Sequence, residues 1–115
     1  MGLLSRAKDD PVEPSSEAFI KKYSEEYNDF NCIVIECPPN ADDKTQFCKK
    51  LNTMIDKMGA VILLSTGRPL IMLPLSVDRE LIAHRLSKTF NLKILLSFQA
   101  DSSEIVINRV NSLSK

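Results

Sequence analysis

The chain has 115 residues, 43% apolar and 26% charged, with fifteen bases balanced by fifteen acids. That length supports one hydrophobic core, and that composition argues against intrinsic disorder. A zero net charge argues against nucleic acid as a partner. The apolar runs are too short for membrane insertion.

Residues 1–14 mix charges with Pro11 and Pro14, show no hydrophobic period, and read as a flexible N-terminal tail. Over 15–29, Phe19, Ile20, Tyr23 and Tyr27 recur at helical spacing behind a Ser15 or Ser16 cap. This amphipathic helix is predicted either to pack on the domain or to offer its aromatic face to a partner. Residues 30–115 form a single α+β domain.

The run Asn31 to Cys37 is β-branched at its centre and closed by Pro38-Pro39, which predicts a buried strand. Asn40 is placed as the cap of a helix over 41–58, with Phe47, Leu51, Met54, Ile55 and Met58 on one face. Gly59 is read as its left-handed stop. Residues 60–64 and 70–73 are two apolar runs joined through Gly67, the pattern of a β-hairpin with a positive φ available at the glycine. Ser76 or Asp78 starts the next helix, with Leu81, Ile82, Leu86 and Phe90 inward and Asn91 at its end. A strand follows over 92–98. The C-terminal segment reads as a helix, with Ile105, Val106, Val110 and Leu113 on one face.

From residue 31 the order is β-α-β-β-α-β, which predicts an α+β ferredoxin-like plait with an extra N-terminal helix and a C-terminal helix. Strands with so little polar alternation require cover on both faces of the sheet. A five-stranded sheet between helices is the alternative, should the last segment be a strand.

This order brings the end of the first strand, the hairpin turn and the end of the second helix to one edge of the molecule. Cys37, Asn40, Thr66, Gly67, Arg68 and Asn91 are expected there. Free amides at a helix start together with Arg68 could hold a small anion, and a thiol in that setting could be activated. The same residues also serve as strand end, cap and turn. Glu36, a charge within an apolar strand, is expected to pair with Arg68 or Lys93.

Cys32, Cys37 and Cys48 are odd in number, which predicts free thiols and a cytoplasmic setting rather than a disulfide framework. Their spacings match no common zinc pattern, so no metal or other cofactor is expected. His84 falls opposite the apolar arc of its helix and is read as solvent-facing. With no catalytic constellation in view, the chain is expected to be a non-enzymatic interaction or regulatory module. Its partner would be another protein or a second copy, met through Phe19, Ile20, Tyr23 and Tyr27 or through a sheet edge. The alternative is a small-molecule or anion sensor binding near Asn40 and Arg68.

Overall fold

A computed structural model describes residues 12–38, 43–55, 58–64 and 66–113, with the side chains of 12–16 left aside. Among these residues the chain is α+β, with four helices and one four-stranded antiparallel sheet. The tail ahead of residue 12 and Asn40 both lie outside the described residues.

Helix α1, Val12–Glu26, starts earlier than its serines suggested and carries Pro14 in its first turn, where a missing N–H costs no helical bond. Strand β1, Phe30–Ile35, is buried along its whole length. Helix α2, Lys44–Met54, begins on Asp43, whose Oδ1 accepts from the amides of Thr45 at 2.9 Å and Gln46 at 3.3 Å. Asp43 is thus the cap of the described helix. Strands β2, Ala60–Leu63, and β3, Pro69–Pro74, form the hairpin. Helix α3, Arg79–Phe90, is bracketed as expected by Asp78 at its start and by Asn91 at its end, the latter in the left-handed region with φ 55°. Strand β4, Ile94–Ala100, runs two residues later than its apolar pattern implied. Helix α4, Ser103–Ser112, confirms the helical reading of the C-terminal segment, with Ser102 as cap.

The strand order is β2-β3-β1-β4, every neighbouring pair antiparallel. Cores lie on both faces of the sheet. On one, Phe47, Leu51 and Ile55 of α2 and Ile82 and Leu86 of α3 cover Ile33, Ile35, Ile71 and Leu73. On the other, Ile20 and Tyr23 of α1 and Val106 of α4 cover Phe30, Cys32, Val34, Leu70, Met72 and Phe98. Both terminal helices contribute to the second face.

Three local expectations are corrected. Gly59 has no positive φ; a Cβ there would run into the backbone carbonyl of Met72, so the glycine permits close approach of two chains rather than ending a helix. Leu81 is 50% exposed, because α3 turns Ile82 and Leu86 to the sheet. On α4 the half-buried partner of Val106 is Ile107, whereas Ile105 faces solvent.

Candidate functional site

The hairpin turn is fixed by two backbone bonds, Gly67 N–H to Leu64 O at 2.8 Å and Leu64 N–H to Arg68 O at 2.9 Å. Gly67 holds φ 86°, as its place in the turn required. The turn lies against the end of β1, where the Cys37 thiol donates to Gly67 O at 3.5 Å. Cys37, Thr66, Gly67 and Arg68 therefore do come together, around a depression of about 320 Å³ that Glu36 and Lys44 complete. Asn91 is not part of its lining.

The chemistry of this depression is largely occupied by the fold. Arg68 donates from Nε to Glu36 Oε1 at 3.3 Å and from Nη1 to Leu113 O at 3.2 Å, so it ties the turn to β1 and to the end of α4. The first amides of α2 are turned to the Asp43 carboxylate, which also places a negative charge where an anion would sit. Burial raises the Cys37 thiol above its ordinary value, Lys44 opposes that rise, and Glu36 adds to it. A nucleophilic cysteine needs the opposite shift. Lys44 supplies the remaining cation at the rim.

Of the aromatic face predicted for a partner, Ile20 is 2% and Tyr23 7% exposed, and both belong to the core. The physical reason is the uncovered half of β1: Tyr23 packs edge-on against Phe30 at 5.3 Å. Phe19, 40% exposed, and Tyr27, 38% exposed, remain at the surface. Phe19 overhangs a second and larger groove of about 430 Å³, which runs along β2 between α1 and α2. Cys48, Lys49 and Asn52 of α2 form one wall, and Ala60, Val61 and Leu63 form the floor. Among the described strands β2 lies at one end of the sheet, next to β3.

A polar clamp at the far end of the sheet had no signal in the sequence. Asn31, 5% exposed, donates from Nδ2 to Val77 O at 3.0 Å and accepts from Arg79 Nη1 at 3.0 Å. Arg79 Nε donates to Ser97 Oγ at 2.8 Å. Arg79 stands at the first position of α3, where the helix dipole disfavours a cation. Its bonds to β1 and β4 explain the placement, since it joins the start of α3 to two strands and gives the Asn31 carbonyl oxygen a partner. The partners are 18 to 48 residues apart in sequence, so no local pattern could reveal them.

Among the described residues no group of three or more acidic, thiol or imidazole side chains is placed to hold a metal. No helix of the described residues is long and apolar enough to cross a membrane. His84 is exposed on α3, as its helical position implied. The chain matches no family model, and no curated protein or solved structure shows significant similarity to it.

Proposed function

We propose that this chain is a non-enzymatic, cytoplasmic protein-interaction module, and that its contact surface is the groove that runs along β2 beneath Phe19. The observation that carries this reading is an apolar outer strand framed by two helices, with Phe19 left exposed beside it. Soluble domains shield outer strands with charges, bulges or proline on the edge, because unpaired backbone groups recruit other chains. Ala60, Val61 and Ile62 carry no charge, bulge or proline, so shortness is the one such shield this strand has. The strand order and the split arrangement of β1-α2-β2 and β3-α3-β4 support reading the sheet with α2 and α3 as a ferredoxin-like plait. Helices α1 and α4 are then additions on the opposite face. That fold hosts unrelated functions, so the weight rests on the groove.

The sensor reading retains one favourable observation, Lys44 at the rim of the depression beside Thr66 and Gly67. The bonds already made by Arg68 and Asp43 weigh against it.

A photo-reactive amino acid at Asn52, in the groove wall, compared with one at His84, tests the interaction reading in cells that make the protein. The expected result is a covalent adduct with another polypeptide from position 52 and none from position 84. No adduct from position 52, or equal adducts from both, would contradict it.

A further inference from the structure

We infer that two copies of this chain pair antiparallel through the outer side of β4, joining their sheets into one. This surface lies on the opposite side of the sheet from the groove and stands or falls without it.

The phase of the backbone ladder follows from one bond. Leu64 N–H donates to Arg68 O, which makes Ile62–Leu70 and Ala60–Met72 the hydrogen-bonded pairs of the hairpin. Ile71 and Leu73 are thereby turned the other way, to bond Ile33 and Asn31 of β1. Phe30, Cys32 and Val34 of β1 then bond Ala100, Phe98 and Leu96 of β4. The bond from Glu36 N–H to Lys93 O keeps the same phase beyond the irregularity at Val34 and Ile35. Ser97 and Gln99 therefore direct their N–H and C=O groups away from the sheet. No hydrogen bond among the described residues takes up those groups. The irregularity falls at the start of β4 and leaves Leu96 to Ala100 in regular register, a stretch with no charge and no proline to shield it.

That stretch is complementary to itself. With a twofold axis at Phe98, Ser97 of each copy faces the partner's Gln99, and each such pair exchanges two backbone bonds. Leu96 falls opposite the partner's Ala100. On the α3 face the partner's Gln99 carbonyl comes beside Arg79, which bonds Ser97 Oγ and Asn31 Oδ1 and has further N–H donors. Charge selects the second copy over a foreign strand. Lys93 stands just before β4 and Asp101 just after it, and both are exposed. Antiparallel pairing sets the positive start of each strand against the negative end of the other, at both ends of the contact.

The test measures the mass of the full chain by sedimentation equilibrium, from about micromolar to about millimolar concentration. A concentration-dependent dimer is expected. As it forms, the Ser97 and Gln99 amides should exchange with deuterium more slowly, while Ile62 stays unchanged. Gln99→Pro removes an outward N–H and none from the ladder to β1, and should raise the dissociation constant about tenfold or more. Lys93→Glu should raise it severalfold, and adding Asp101→Lys to that variant should bring it back. A chain monomeric throughout, a dimer indifferent to Gln99→Pro, or a Lys93→Glu variant not rescued by the second change would overturn the inference. So would a dimer that leaves exchange at Ser97 and Gln99 unchanged, because it joins another surface. Should Gln99→Pro not fold, deuterium exchange and the charge reversal decide, since Lys93 and Asp101 are exposed.

Discussion

At the scale of single residues, the two internal glycines separate two physical requirements that a sequence pattern confuses. Gly67 needs its positive φ of 86°, and a Cβ there would meet only the Lys44 ammonium at 2.5 Å, the movable end of a flexible side chain. Gly59 needs no unusual dihedral, yet a Cβ would strike the carbonyl of Met72 in the neighbouring strand. Gly67→Ala is therefore expected to cost about 1 kcal/mol of backbone strain. Gly59→Ala should cost more, toward the upper end of the roughly 1–3 kcal/mol typical of overpacking. Urea denaturation of both variants gives the ranking directly, and the reverse order would contradict the close-approach role of Gly59. The thiols make a second residue-scale expectation. Burial pushes Cys32 up from 9.0 to about 12 and Cys48 to about 11. Above pH 9 the unfolded chain releases protons that the folded chain keeps, so stability falls as pH rises through that window. The melting temperature should drop between about pH 9 and 11, and Cys32→Ala should make that drop shallower.

At the scale of elements, the decisive question is why the sheet has helices on both faces. β1 is buried at all six positions, with Phe30, Cys32 and Val34 turned to α1 and α4 and Ile33 and Ile35 turned to α2 and α3. A strand of that composition cannot leave either face to water. Helix α1 is therefore part of the fold rather than an arm offered to a partner. Ile20→Ala, a truncation in the core, is expected to cost about 2–5 kcal/mol. Deleting residues 1–29 uncovers one face and should abolish cooperative unfolding, since a whole domain is stable by only about 5–15 kcal/mol. A truncated chain that still melted sharply in circular dichroism would show that α4 alone closes that face.

The same scale explains what was legible in the sequence. α3 could be read from Asp78 and Asn91 because both ends are fixed by local backbone chemistry. The hairpin was legible from its apolar runs and Gly67, and α4 from its helical period. The gathering of Cys37, Thr66, Gly67 and Arg68 followed from element order alone, because a strand end and the next hairpin turn share one end of such a sheet. Non-local features stayed hidden. The bond of Arg68 to Leu113 O joins residues 45 apart, and it turns a candidate ligand group into a strut. The Asn31–Arg79–Ser97 clamp and the groove beside β2 likewise exist only once strands and helices have found their neighbours.

At the scale of the whole molecule, the sheet is asymmetric at its two sides. β4 has Ser97 and Gln99 exposed on one face, with Ser97 held by Arg79, and is reached by α3 and α4. β2 is four residues long and wholly apolar, and a groove with a lysine in its wall runs along it. The most direct measurement is amide hydrogen exchange of the free protein at neighbouring residues in β2. Ile62, with its amide directed to Leu70, should exchange slowly, while Val61, with its amide directed into the groove, should exchange near the rate of an unstructured amide. Val61 as protected as Ile62 would mean that the groove is already filled in the free protein, and would contradict a surface kept open for a partner.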